Sequence, residues 1–453
     1  MEHGGDGRRM RIAVIGSGVA GLGAAWALSR VHDVMLYEAD DRLGGHAHTV
    51  EVEDAGRRVA VDTGFIVFNP DNYPNLVRWF EAAAVPTEPS DMSFSVSVGD
   101  GAFEYQARAL GLLAQPSNLL RARYRTMVRE ILRFCREAPR AVEDGERLTT
   151  GEYLLREGYS PGFRDDFLLP MVGCIWSSSL TAMLDYPIAS LVRFLQNHRL
   201  LDVGTRPAWR TVSGGSREYV RRVSAPFASG VRVSTPVVSV ERSPSGVRIL
   251  DARGGTEVVD HVVLASHADS TLQILGDDAS DEERRILGAF RFSENQAVLH
   301  RDASLMPRRR RAWSSWNYLS EARGGHDADT TVSLSYWMNR LQNLETERPV
   351  IVTLNPSRRP ADVVRSFTYH HPIYDRATVR AQAELPGIQG AGGTWFAGAW
   401  TGYGFHEDGL RSGLAVAAAL GASAPWDEAP RTIEEGLADG TPALPPLQLE
   451  GVA

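Results

Sequence analysis

The sequence predicts an α/β chain, with a discontinuous domain on a parallel sheet and an inserted α+β domain. Three observations carry this. A strand-helix-strand pattern opens the chain, a long helical region comes next, and strand signals then return in separated stretches. The chain has 453 residues, past the size at which a single core stops growing.

Arg11–Ile15 (RIAVI) is β-branched and apolar and predicts a buried strand. Gly16–Gly21 is a glycine turn. Leu22–Arg30 carries alanine, leucine and tryptophan at helical spacing, and Val34–Glu38 (VMLYE) predicts a second strand. Together they form a βαβ unit. Leu119–Ala138 predicts a helix with Arg121, Arg125, Arg129 and Arg133 on one face and Leu120, Tyr124, Met127, Val128, Ile131 and Phe134 on another. Strand signals return at Val231–Val240, Val247–Leu250 and Val258–Ala265. They continue at Trp313–Tyr318, Ser333–Trp337 and Trp395–Gly398, before a small-residue helix at Gly409–Leu420.

Composition excludes some classes. Hydrophobic residues are 43% and charged residues 23%, the balance of an ordinary globular protein with apolar material to enclose a cofactor. The net charge of −8 argues against nucleic acid, whose phosphates need a basic face. All 48 basic residues are arginine. The two cysteines form no CxxC pair, so no zinc site is expected, no metal site is assigned, and a reducing cytoplasm fits. No apolar run is long enough to span a membrane, and the polar leader Met1–Arg9 does not read as a signal peptide.

The glycine motif is Gly16-Ser17-Gly18-Val19-Ala20-Gly21. The first glycine permits a tight turn, the second a close approach to a pyrophosphate, and the third tight helix–strand packing. The helix N-terminus offers N–H groups to phosphates. Glu38 ends the next strand, where a carboxylate accepts hydrogen bonds from the adenosine ribose. The plain alternative is a structural turn with a solvated glutamate. NAD would satisfy the same features.

The residues from Glu38 to Gly45 separate the two cofactors. Glu38-Ala39-Asp40-Asp41-Arg42-Leu43-Gly44-Gly45 resembles the ExxxRxGG extension of the flavin-containing amine oxidase and phytoene desaturase superfamily. There the paired glycines allow another close approach and the arginine offsets phosphate charge. Asp62-Thr63-Gly64 resembles the family's turn beside the flavin. Pro236–Val240 resembles the strand whose first valine, here Val237, meets the adenine through its backbone. Phe396-Ala397-Gly398, with Glu407-Asp408-Gly409-Leu410 and Ser412-Gly413, resembles the segment that closes over the ribityl chain and ring. His46 stands where the family often has arginine, and Ala399 where it often has an acid, so Asp408 is the substitute assigned to the ribityl chain.

The resemblance implies a Rossmann-like FAD-binding domain in residues 9–85, 206–275 and 390–425. The inserted substrate domain has a helical part (86–205) and a strand-rich part (276–389), and 426–453 is a loose tail. It also implies noncovalent FAD. The nearest branch is a bacterial group of predicted NAD/FAD-binding proteins, on the stretches Asp62–Pro70, Pro207–Val220, Trp313–Tyr318 and Gly404–Gly413. Its genes often neighbour those of cyclopropane-fatty-acyl-phospholipid synthases.

A flavin carries its own redox chemistry, and the protein supplies orientation, charge and exclusion of water. His371, in Tyr369-His370-His371-Pro372, and His406 fall where amine oxidases place the aromatic residues flanking the flavin, and each could move a proton. Their plain reading is structural. Trp176, Trp313, Trp316, Tyr318, Tyr336 and Trp337 could line an apolar tunnel, although core packing is the default for aromatics on strands. Arg308–Arg311 and the arginine helix could contact anionic lipid headgroups, and their plain reading is a solvated surface.

Three functions fit these residues. The first is a dehydrogenase, desaturase or isomerase acting on an apolar, fatty-acyl substrate, with hydride transfer to flavin N5 and an electron acceptor that the sequence does not name. The second is an amine oxidase, and the third a non-catalytic flavoprotein partner of a lipid-modifying enzyme. Amine oxidases of this superfamily commonly place a lysine near the flavin to assist reaction with oxygen. This chain has none, and its counterpart strand, Asn295–His300, offers Gln296 or His300. The expected location is cytoplasmic, with a peripheral membrane contact open.

Overall fold

The computed structural model describes residues 9–108, 111–143, 147–176, 180–202, 207–321 and 333–427. The leader up to residue 8, and residues 428–453 of the expected tail, lie outside the described residues. The chain divides into two compact units. The first holds the described residues up to Gly45, Val220–Arg291 and those from Ala377 onward. The second holds His46–Tyr219 and Phe292–Arg376. Residues 46–85, expected with the dinucleotide-binding domain, cluster with the second unit.

The first unit is built on a five-stranded parallel sheet. Its order is Val231–Arg232, Asp33–Tyr37, Arg11–Ile15, His261–Leu264 and Thr394–Phe396. Such sheets are covered on both faces, which is why RIAVI is buried from Ile12 through Ile15. Chain order reverses beside Arg11–Ile15. This is the switch point at which doubly wound sheets bind ligands, outside the carboxyl ends of the strands. The helix Val19–Leu28 starts inside the glycine motif and is buried at every position. It packs against the helix His406–Ala419, where Leu410 occupies the space a side chain on Gly23 would need and Gly413 presses on the Ala20 carbonyl.

Two predicted strands prove to be broken. Val231–Val240 divides into Val231–Arg232 in the parallel sheet and Val237–Ser243 in a separate three-stranded sheet. Ser234 at φ +47° turns the chain between them, and Pro236 has no N–H to donate. Val258–Ala265 likewise divides into Thr256–Val259 and His261–Leu264.

The second unit is built on a mixed seven-stranded sheet. Its order is Val363–Ile373, Arg291–His300, Ile351–Leu354, Ser333–Trp337, Trp316–Ser320, Phe94–Val98 and Phe103–Gln106. Val50, Val52 and Val61 of the hairpin Thr49–Asp54/Arg57–Asp62 share a core with Ala297, Leu299, Val350 and Val352. The predicted arginine helix is Ala122–Glu137, preceded by a 3₁₀ turn at Pro116–Leu120. It buries Tyr124, Met127 and Phe134, whereas Leu120, expected on the apolar stripe, is 84% exposed.

Candidate functional site

In the first unit, Gly16 comes directly after the strand Arg11–Ile15 at φ +101°, a conformation side chains rarely adopt. A Cβ there would sit 2.8 Å from the Ala265 carbonyl oxygen, and one on Gly21 would collide with the Gly16 carbonyl. Gly18 differs, because a Cβ there would meet nothing within 4 Å. Gly18 therefore borders open space at the N-terminus of the helix whose first residues are Val19 and Ala20. A Cβ on Gly45 would lie 3.2 Å from the Gly18 Cα, so the second glycine pair packs directly on the first.

Ser17 ties the turn to Glu38. Its N–H donates to Glu38 Oε2 at 2.8 Å and its hydroxyl donates to the same oxygen at 2.5 Å, while the Asp40 N–H donates to Oε1 at 2.9 Å. A carboxylate accepts about four hydrogen bonds, so capacity is left for ribose hydroxyls. Gly44 N–H donates to the Ser17 carbonyl at 3.1 Å. Arg42 Nη2 donates to the Gly45 carbonyl at 2.9 Å, so the guanidinium expected to offset phosphate charge also closes this turn. Thr235 N–H donates to the Glu38 carbonyl at 2.8 Å, which brings the start of the Val237 strand beside Glu38.

The C-terminal segment is held by contacts within the first unit. A Cβ on Gly398 would collide with the Trp400 indole, and the Gly398 N–H donates to Ser412 Oγ at 2.9 Å. Asp408, assigned to the ribityl chain, caps its own helix. It accepts from the Phe405 N–H at 3.1 Å and from Arg411 at 2.8 Å, reaching back as an acid in a first helical turn does. Burial raises its pKa and Arg411 opposes the rise. Gly409 and Leu410, expected against the cofactor, pack on Val19 and Gly23 between the two helices. His406 opens that helix, and burial lowers its pKa to about 3, so its ring is neutral at physiological pH.

In the second unit, residues 46–48 and 63–65 extend the hairpin. Thr63 N–H donates to the His48 carbonyl at 2.9 Å and Phe65 N–H to the His46 carbonyl at 2.8 Å. Gly64 is needed because a Cβ would collide with the His46 carbonyl. The Tyr369 hydroxyl lies 2.7 Å from Thr63 Oγ1 and 3.0 Å from His48 Nδ1. The His46 ring lies 5.0 Å from the Tyr369 ring and 5.5 Å from the half-buried His371 ring. The sequence motifs single out His46 and His371 but not His48 or the role of Tyr369. The signal for that role is alternation, because Phe367, Tyr369 and His371 share one face of their strand.

Asp62, in sequence only part of a turn, is a buried hub. It is 1% exposed and accepts from Thr49 Oγ1 (2.6 Å), Ser216 Oγ (2.7 Å), Ser216 N–H (2.9 Å) and Gln342 Nε2 (2.8 Å). Burial raises its pKa to about 6 against these hydrogen bonds. The two residues offered in place of the lysine sit in different surroundings. Gln296 is exposed, and the fully buried His300 has one ring nitrogen on Thr353 Oγ1 at 2.7 Å and the other on the Asp302 N–H at 3.0 Å. Of the six aromatics offered for a tunnel, Trp176, Trp313 and Tyr318 are buried, and Trp316, Tyr336 and Trp337 are half-buried. Trp313 meets Trp337 edge-on at 5.3 Å, Trp316 meets Tyr336 at 5.2 Å, Trp176 meets Phe194 at 4.6 Å, and Tyr318 is 2% exposed.

Comparison with known proteins decides between the two cofactors. A model of the flavin-containing amine oxidoreductases matches residues 19–281, more than half of the chain. The chain belongs to this family. Its cofactor is FAD, and the open space at Gly18 with Glu38 poised beside it fits a dinucleotide. An L-amino-acid oxidase of Pseudechis australis is 22% identical over 262 residues, 53% of this chain and 46% of that protein. The match thus spans about half the length of the curated relative. A putrescine oxidase bound to putrescine has TM-score 0.66 at 14% identity, covering 91% of this chain and 99% of that one. A CLA-producing fatty acid isomerase from P. acnes has TM-score 0.60 at 16% identity, covering 89% and 97%. At these identities the two structures establish a shared amine oxidoreductase fold. Among the described residues, no helix is long and apolar enough to cross a membrane.

Proposed function

We propose that this amine oxidoreductase family member acts on an apolar, fatty-acyl substrate and changes its unsaturation, by dehydrogenation, desaturation or isomerisation. The observation that carries the reading is the chain's lack of lysine, which leaves no ammonium to assist reaction with oxygen. The P. acnes fatty acid isomerase supports it as a fold neighbour.

FAD would be held by the turn Gly16–Gly21, with Glu38 on the ribose and Gly44 and Gly45 on the phosphate side. When bound, FAD supplies the two-electron acceptor for a hydride leaving a substrate carbon. The chain's own residues supply position and protons. Thr63 and His48 fix the Tyr369 hydroxyl by hydrogen bonds, and Tyr369 and His46 pack beside His371. His371 takes or returns the accompanying proton. His406, held neutral by burial, does not supply a proton.

The test is expression in a host with and without a fatty-acyl methyltransferase or cyclopropane synthase, followed by membrane lipid profiling. Altered acyl unsaturation is expected. No change in either background, together with robust turnover of a primary amine, would overturn the reading. The match to an L-amino-acid oxidase favours a second reading, an oxidase of amines or amino acids. Rapid reoxidation of the reduced flavin by air would favour it, whereas slow reoxidation accords with the missing lysine. A third reading, a non-catalytic partner of a lipid-modifying enzyme, would show flavin photoreduction without turnover.

A further inference from the structure

The two arginine-rich stretches, far apart in sequence, meet at one turn of the second unit. Residues 99–102 join the strands Phe94–Val98 and Phe103–Gln106. Arg121 Nη2 donates to the Ala102 carbonyl at 3.0 Å, and Arg309 Nη1 donates to the Gly101 carbonyl at 2.6 Å. Arg308 packs its side chain on Gly101 and pairs with Asp100 of the same turn. Arg310 is committed elsewhere, its guanidinium 3.6 Å from the Trp313 ring centroid. Arg311 is exposed.

Leucines project beside these arginines. Leu120 is 84% exposed, and Leu119 and Leu113 are 45% exposed. A single surface leucine needs no explanation, but here three exposed leucines lie within eight residues. They are held outward by a fixed anchor. Asn118 is fully buried and donates from Nδ2 to the Glu104 carbonyl at 2.9 Å, so the turn Pro116–Leu120 cannot swing its leucines inward. Arginines outnumber acids at the turn beside them. Glu104 is buried and matched to Arg309 at 2.8 Å, which leaves Asp100 as the exposed acid on the turn. A chain of net charge −8 thus carries a locally basic and apolar surface.

We propose that this surface docks the protein on an anionic phospholipid membrane. The leucines enter the boundary between headgroups and acyl chains, and Arg121 and Arg311 meet headgroup phosphates. Both halves of the patch have a use at that interface. A nucleic acid would satisfy the arginines but offer the leucines no partner, since single strands are gripped by aromatic stacking. The inference goes beyond the substrate reading and does not depend on it.

The test is co-sedimentation of the full chain, loaded with FAD, with vesicles of phosphatidylcholine alone or with phosphatidylglycerol. Binding is expected only to the phosphatidylglycerol vesicles, and it should weaken as salt screens the arginines. Leu120→Glu and Arg311→Glu should each lower the partition coefficient about fivefold or more, as expected for one basic residue near a charged surface. The flavin spectrum and melting temperature should be unchanged, because both side chains are exposed. No binding to the anionic vesicles would overturn the proposal. So would wild-type binding by Leu120→Glu, or tighter binding to duplex DNA than to vesicles. Turnover of an acyl substrate in detergent is unaffected by either variant, so the two readings fail separately.

Discussion

Ser17 and Glu38 are joined by two hydrogen bonds to one carboxylate oxygen, at 2.8 Å from the backbone N–H and 2.5 Å from the hydroxyl. The glycine turn and the end of the second strand are therefore set against each other before a ligand arrives, with acceptor capacity left on Glu38. Glu38→Ala should weaken FAD binding by about 2 kcal/mol, the range for hydrogen bonds to a charged group, or roughly thirtyfold in Kd. Titration of the apoprotein with FAD, followed by quenching of flavin fluorescence, measures it. An unchanged Kd would remove Glu38 from the site.

Gly18 and Gly21 should fail in different ways. A Cβ on Gly21 collides with the Gly16 carbonyl, so Gly21→Ala should lower the melting temperature of the apoprotein. Gly18 has an ordinary φ of −61° and open space before it, so Gly18→Ala should leave the apoprotein as stable as the parent while losing FAD. Melting curves with and without FAD separate the two. A Gly18→Ala protein that binds FAD normally would show that the pyrophosphate lies elsewhere.

The buried Asp62 gives stability a pH dependence of unusual sign for a carboxylate. Its folded pKa, about 6, lies above the ordinary value of 3.8. The stability it contributes is full below 3.8 and is lost as pH rises through about 6, a change of about 3 kcal/mol. The difference in unfolding free energy between the wild type and Asp62→Asn should therefore shrink by about that amount from pH ~4 to pH ~7. Urea unfolding at both pH values measures it, and a constant difference would contradict the assignment.

Much of the first unit is legible in the sequence because its chemistry is local. The run RIAVI, the glycine turn and Glu38 lie within a few tens of residues, and strand, helix and carboxylate fall where spacing places them. Legibility fails where a local signal competes with a tertiary one. The sequence reading does not see that Asp408 caps its own helix, the third helical position reaching back to the preceding N–H. Nor does it see that the Leu410 side chain fills the gap above Gly23. Val231–Val240 reads as one strand, and only Ser234 at positive φ divides it between two sheets. The cluster around Tyr369 needs the hairpin and the strand Val363–Ile373 together, residues more than three hundred positions apart.

His406 should add no pH dependence to the rate near neutrality. The folded pKa of His406, about 3, lies below its ordinary value of 6.5, so the stability its neutral ring contributes is present above 6.5 and lost as pH falls toward 3. Its charge state does not change between about pH 5 and 8, and it adds no limb to the rate profile there. His406→Gln should keep the wild-type profile. His371→Asn should lower kcat by about a hundredfold, the smaller end of the range for losing a proton-transfer group. A limb that vanishes with His406 and persists without His371 would reverse the roles.

Anaerobic mixing of the FAD-loaded protein with candidate substrates, followed through the visible flavin band, tests the central claim most directly. Fatty-acyl phospholipids should bleach the band if the acyl chain is oxidised. If the chain is isomerised, they should instead yield a shifted double bond with the band restored, and primary amines and L-amino acids should leave it oxidised. Bleaching by an amine or amino acid, with acyl lipids neither reducing the flavin nor changing in unsaturation, would contradict the account.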